Sequence, residues 1–208
     1  MTRAHGLVKF FGQILRLKSV PRTGWIDRGV RADDVESVAE HSFQTALVAW
    51  MAAAADPSLD RDRVLKLAVI HDLPEAVIGD ITPYDPEDVP DADDDPDARR
   101  AFLEQRQTRS PERSAAKRRA EARAISEYLE LLRGNARHEL AALWREVEDG
   151  QSAEARFVKQ ADKLETWLQS RAYGSREPSL PLASFDAEID DVLHHPALIA
   201  IRDAAKSK

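Results

Sequence analysis

Leu7, Phe10, Phe11, Ile14 and Leu15 fall at i, i+3, i+4, i+7 and i+8, so one apolar stripe faces a core, and this helical period returns down the chain. A second helix is expected from about Asp34 to Ala55, with Val35, Val38, Thr45, Val48 and Ala52 inside and Asp56-Pro57 as its stop. Asp60 can cap a third, which runs through Val64–Ile70. Periodicity resumes at Ile125, Leu129 and Leu132 and closes at Gly134. Leu140, Leu143, Trp144 and Val147 mark a short helix, and Ser152 can cap a longer one carrying Phe157, Ala161, Leu164 and Leu168. Pro178 and Pro181 interrupt the chain before a terminal amphipathic segment with Phe185, Ile189, Val192 and Leu193. With 43% hydrophobic and 32% charged residues, these segments give an all-α fold.

A length of 208 residues fits one domain over 1–208. Two regions stand apart from its helical pattern. Tyr84 to Asp97 is acidic and proline-spaced and reads as a solvated loop; Arg99 to Arg123 is arginine-rich and reads as an exposed helical stretch without a functional role. We therefore expect an acidic loop insertion at about 85–113 and a helical tail after about 172.

Several function classes drop out. The net charge of −7 argues against binding a nucleic-acid polymer, which needs clustered Lys and Arg, but leaves nucleotide-sized ligands open. The absence of cysteine excludes disulfides, thiolate metal sites and cysteine nucleophiles, and suits a cytoplasmic protein. The longest apolar run, Ala46 to Ala55, is too short to span a membrane. The first 26 residues lack acids and carry Arg3, Lys9, Arg16 and Lys18, as a transit peptide can, yet they read equally well as the first helix.

Chemistry gathers where the third helix ends. His71-Asp72 closes its apolar run, and Pro74 follows, which cannot donate to the Ile70 carbonyl and should end or kink the helix there. Glu75 lies three and four residues on, near both members of the pair. Taken singly, His41 and His71 read as core histidines and Asp162 as a surface aspartate. Taken together, burial of His41, His71, Asp72 and Asp162 without a cation would leave uncompensated carboxylate charge, which a shared divalent metal would relieve.

The order His, His-Asp, distant Asp resembles the HD-domain phosphohydrolases. Pro21-Arg-Thr-Gly-Trp25, Glu40-His-Ser42, His71-Asp-Leu-Pro-Glu75, Gly79-Asp-Ile81 and Phe157-Val-Lys-Gln-Ala-Asp162 are similar to the ordered blocks of the HD-domain 5′-deoxynucleotidases, over roughly residues 7–84 and 115–172. That resemblance implies a single HD-domain helical bundle in which His41, His71, Asp72 and Asp162 hold a divalent cation. The N/O ligand set admits Mn, Co, Mg, Fe, Ni or Zn without choosing among them. It further implies catalytic carboxylates at Glu75 and Asp80, a second-cation reading of Glu75, Asp80 and the Ile81 carbonyl, and substrate contacts from Arg22 and Trp25. Arg22 would grip phosphate as a fork and Trp25 would form a flat wall for the sugar; the bland alternative leaves Arg22 and Arg28 solvated and Trp25 capping the core.

The expected activity is metal-dependent hydrolysis of a nucleoside 5′-monophosphate, with deoxynucleotides preferred, by a chain that forms a homodimer. Rival readings are an HD hydrolase of triphosphates, guanosine tetraphosphate or a phosphodiester, or an HD fold that binds partners without catalysis. A di-iron oxygenase is disfavoured because only His138 lies between the dipeptide and Asp162.

Overall fold

The computed structural model describes residues 2–207 and contains eleven α-helices and no strand among the described residues. In chain order they are α1 (Arg3–Ile14), α2 (Thr23–Asp27), α3 (Val38–Ala52), α4 (Arg61–Ile70), α5 (Glu75–Ile78), α6 (Pro96–Glu104), α7 (Pro111–Leu131), α8 (Gly134–Asp149), α9 (Ala153–Arg176), α10 (Ala183–Val192) and α11 (Pro196–Lys206). The all-α class holds, and none of the described helices is long and apolar enough to cross a membrane.

Helix α3 begins later than the expected start near Asp34, because Ser37 and Glu40 cap it reciprocally. The Glu40 amide donates to Ser37 Oγ at 3.2 Å, and the Ser37 amide donates to Glu40 Oε2 at 2.7 Å. Asp60 caps α4 by accepting from the Arg63 amide at 3.0 Å. At the other end of α4 the Ile70 carbonyl accepts from the Leu73 amide at 3.1 Å, so the chain turns at His71-Asp72 as Pro74 requires.

The core lies where α3, α4 and α9 pack together. Val38, Ala49, Val64, Leu67, Ala161 and Leu164 are fully enclosed there. Phe10 of α1 packs edge-on against Tyr128 of α7, while Phe11 and Leu15 remain exposed, so only part of the first stripe is buried. Ile189 of α10 and Leu198 of α11 sit in the same core, which makes the last two helices part of the bundle rather than an appendage. Gly134, expected to close α7, instead opens α8 with a φ of 60°; α7 has already ended at Leu131.

The segment 85–113 departs from the expected loop. Asp95 caps α6 through the Ala98 amide at 2.9 Å, and Leu103 is 1% exposed. Arg99 donates to the carbonyls of Pro90 and Asp27, and Arg113 pairs with Asp85 and donates to the Tyr84 carbonyl at 2.8 Å. The arginine-rich half folds back on the acidic half, and each supplies partners the other lacks.

Candidate metal centre

Two histidines on neighbouring helices present the same ring atom to one point. His41 lies in the second turn of α3 and is fully buried, and its Nδ1 sits 2.5 Å from Glu165 Oε2 on α9. His71, at the end of α4, has Nδ1 2.7 Å from the Ala68 carbonyl. In each ring the Nδ1–H is therefore used as a donor, which leaves Nε2 directed inward, where it can carry a proton against the acids or, deprotonated, ligate a cation.

The carboxylates converge on those nitrogens. His41 Nε2 lies 3.1 Å from Asp162 Oδ1 and 3.6 Å from Asp72 Oδ2, and His71 Nε2 lies 3.2 Å from Asp72 Oδ2. Neither Nε2 makes a hydrogen bond although both are buried. Two buried imidazole nitrogens grouped with anionic oxygens fit a divalent cation of the N/O class. A second buried group, Glu36, His41 and Glu165, shares His41 through its Nδ1 side. Its 2.5 Å contact is a hydrogen bond that orients the ring, so the ligand-accepting side is the one at Nε2.

The charges reflect this crowding. Burial and Arg22 work to keep His41 neutral, but Asp162 and Glu165 prevail and hold it up at about 10. Burial alone would raise the carboxyls of Asp72 and Asp162, yet His71 beside the first, and Lys163 with His41 beside the second, hold both well below the usual carboxylate range. Glu75 moves the other way: burial, then Asp72 and Asp80, push it well above that range. A cation at this point would displace histidine protons and relieve the repulsion among the acids.

Asp72 and Asp162 line a cleft of about 290 Å³, together with Arg22, Glu75, Asp80 and Lys117. Arg22 precedes α2 on a loop held to the start of α3, with its amide on the Glu36 carbonyl at 3.0 Å. Its guanidinium reaches Asp80 Oδ1 at 3.3 Å and Thr166 Oγ1 at 3.4 Å. Gly79 ends α5 with a φ of 78°, a conformation a side chain would strain, and so delivers Asp80 to this loop. There the Thr23 amide donates to Asp80 Oδ2 at 2.6 Å.

A family model described as the HD domain matches residues 14–195. The chain belongs to the HD-domain family. This HD-domain protein is 35% identical over 174 residues to a protein of Homo sapiens named 5′-deoxynucleotidase HDDC2, covering 84% of this chain and 71% of that one. The Danio rerio protein of the same name is 30% identical over 196 residues, covering 94% and 84%. Among solved structures, a conserved hypothetical protein from Pyrococcus furiosus superposes with a TM-score of 0.67 at 25% identity, covering 96% of this chain and 97% of that one.

The HD-domain fold thus brings His41, His71, Asp72 and Asp162 together, with Glu75, Asp80 and Arg22 on the same cleft. Three of the expected site residues are already engaged by other parts of the chain. Trp25 borders the cleft but is 2% exposed: its indole N–H donates to Glu36 Oε1 at 2.8 Å and its ring packs on Tyr173 and Phe185, so it has little face for a sugar. Asp80 has both carboxylate oxygens engaged, one by Arg22 and one by the Thr23 amide. The Ile81 carbonyl, expected for a second cation, already accepts from Arg109 Nη2 at 2.8 Å.

Arg28 is not solvated either. It is buried, with Nη2 on the Leu103 carbonyl and Ser184 Oγ. The sequence reading overlooked Glu36, Glu165, Thr166, Arg109 and Lys117. Glu165 and Thr166 carried a usable signal, since they lie three and four positions beyond Asp162 and so share its helix face.

Proposed function

We propose that this protein removes the 5′-phosphate from deoxyribonucleoside 5′-monophosphates, giving nucleoside and orthophosphate. The observation that carries the reading is the pair of His41 and His71 Nε2 atoms facing Asp72 and Asp162, which line a cleft whose wall bears Arg22. The relatives named 5′-deoxynucleotidase support it.

His41, His71, Asp72 and Asp162 would hold one divalent ion, Mn, Co, Mg, Fe, Ni or Zn. When bound, it supplies Lewis-acid polarisation of a phosphoryl oxygen and acidifies a water molecule. Arg22 grips the phosphate, its fork aimed by Asp80 and Thr166. Glu75, raised in proton affinity and 3% exposed, takes a proton from the attacking water. The water oxygen bonds to phosphorus, the bond from phosphorus to O5′ breaks with its electron pair going to O5′, and O5′ takes a proton from solvent in the cleft. Glu75 then returns its proton to solvent.

We place the protein in the cytoplasm as a homodimer. The exposed apolar row Phe43, Leu47 and Met51 on one face of α3 supports the dimer.

The test is a panel of nucleoside mono-, di- and triphosphates assayed with added Mn²⁺ or Co²⁺. Orthophosphate from deoxynucleoside monophosphates is the expected product, lost in Asp72→Ala. Pyrophosphate or triphosphate would move the protein to a different HD hydrolase activity, and release that survives unchanged in Asp72→Ala would sink the proposed centre.

A further inference from the structure

Of the positions a second cation would need, Glu75 Oε1, Asp80 and the Ile81 carbonyl face the chain's own donors, and Glu75 Oε2 alone is left without one. Arg109, from the turn before α7, donates through Nη2 to the carbonyls of Ile81 at 2.8 Å and Thr82 at 3.2 Å. Lys117, two turns into α7, places Nζ 3.4 Å from Glu75 Oε1 and 3.5 Å from Glu121 Oε1. Asp80 is occupied by Arg22 and the Thr23 amide. A dication brought to this point would lie beside a guanidinium and against an ammonium, and Coulomb repulsion at such distances in a partly buried cleft is strong.

The two basic side chains also face the reacting region. Lys117 is 19% exposed, and both it and Arg109 line the same cleft as Arg22, Asp72 and Asp162. Arg109 Nε and Glu75 Oε2 are buried without partners, so the polar network on this wall is incomplete in a way that a phosphate group and a water molecule would complete. A phosphate dianion offers acceptor oxygens and no donors, and an ammonium beside a guanidinium suits it.

We infer that Lys117, backed by Arg109, supplies the second positive charge of this centre, contacting the phosphoryl group and excluding a second divalent ion from Glu75, Asp80 and Ile81. The inference rests on the phosphohydrolase reading above. Lys117 donates a hydrogen bond to a phosphoryl oxygen and transfers no proton. Its charge offsets the negative charge that gathers on the phosphoryl oxygens and O5′ as the bond to O5′ breaks. Glu75 keeps Lys117 in place and Lys117 keeps the Glu75 carboxylate turned toward the cleft. The enzyme then needs one ion per chain.

The experiment compares the wild-type chain, Lys117→Gln and Lys117→Arg in Mn²⁺ by three readings: ions bound per chain at equilibrium dialysis, affinity for inorganic phosphate, and kcat with a deoxynucleoside monophosphate. One ion per wild-type chain is expected at saturation. Lys117→Gln should keep that ion, bind inorganic phosphate about 10-fold more weakly and lose roughly 10²-fold in kcat, with Lys117→Arg restoring a large part of both. Two ions per wild-type chain would overturn the inference, and this count decides it even where a variant fails to fold. A Lys117→Gln chain with wild-type phosphate affinity and kcat would overturn it too. If the wild-type chain hydrolyses no nucleotide, the functional reading fails separately, while ion count and phosphate affinity still report on Lys117.

Discussion

His41 Nδ1 and Glu165 Oε2 meet at 2.5 Å across the contact between α3 and α9. The carboxylate fixes which ring nitrogen carries the proton and raises the basicity of the other. Replacing Glu165 with alanine leaves every proposed ligand in place but removes that control. We predict a loss of about 10- to 100-fold in affinity for Mn²⁺ or Co²⁺, measured by titrating metal into the chelated protein. Unchanged affinity would show that the pair serves only packing.

Glu36 yields a pH-dependent stability with a definite sign. Burial first, and Glu165 second, push its carboxyl up from 4.5 to about 7, against the Trp25 hydrogen bond. The unfolded chain gives up this proton before the folded one does. Its contribution is therefore fully present below about pH 4.5 and is lost as pH rises through about 7. Glu36→Gln keeps an acceptor for Trp25 and cannot ionise. In metal-free protein the variant should gain on the wild type by about 2 kcal/mol between pH 5 and pH 8 in denaturant unfolding. A gap that stays constant across that range contradicts a protonated, buried Glu36.

Trp25→Phe separates a packing role from a substrate role. The phenyl ring can keep contact with Tyr173 and Phe185, but Glu36 Oε1 loses the indole donor it receives at 2.8 Å. We expect stability to fall by about 1–3 kcal/mol with little change in KM. A large rise in KM at unchanged stability would return Trp25 to the sugar-binding role read from the sequence.

Arg22→Lys preserves one positive charge but not the fork that spans Asp80 and Thr166. KM for the deoxynucleotide should rise roughly 10-fold or more, with metal content unaltered. Loss of metal instead would mean that the loop carrying Arg22 holds the ligand helices in register.

Much of this architecture was legible because its signals are local. Asp60, Ser152 and Asp56-Pro57 punctuate helices where the sequence says they should, and Pro74 turns the chain at His71-Asp72. The order His, His-Asp, distant Asp was also readable, since it depends on residue type and sequence position. What failed to show was tertiary. Arg109 and Lys117 lie in a run whose composition describes a solvated face, and the packing of α7 and its approach against α5 and the Ile81 loop brings them to the cleft. Glu36 and Glu165 looked like ordinary helix or loop acids, because burial of an acid depends on partners elsewhere in the chain. Trp25 misled for a related reason. Its loop position suggested ligand contact, while its partners Tyr173 and Phe185 come from distant helices.

The pairing of His41 with Glu165 joins residues 124 positions apart. An emerging chain that has made α3 and α4 already holds both histidines and Asp72, but neither Asp162 nor the carboxylate that sets the His41 tautomer. Such a chain has only a partial, poorly oriented set of donors. The full set of proposed donors therefore exists only once α9 has docked. Loop-closure cost grows only slowly with length, so what the 124-residue separation imposes is order: the donor set is complete only when α9 lies against α3.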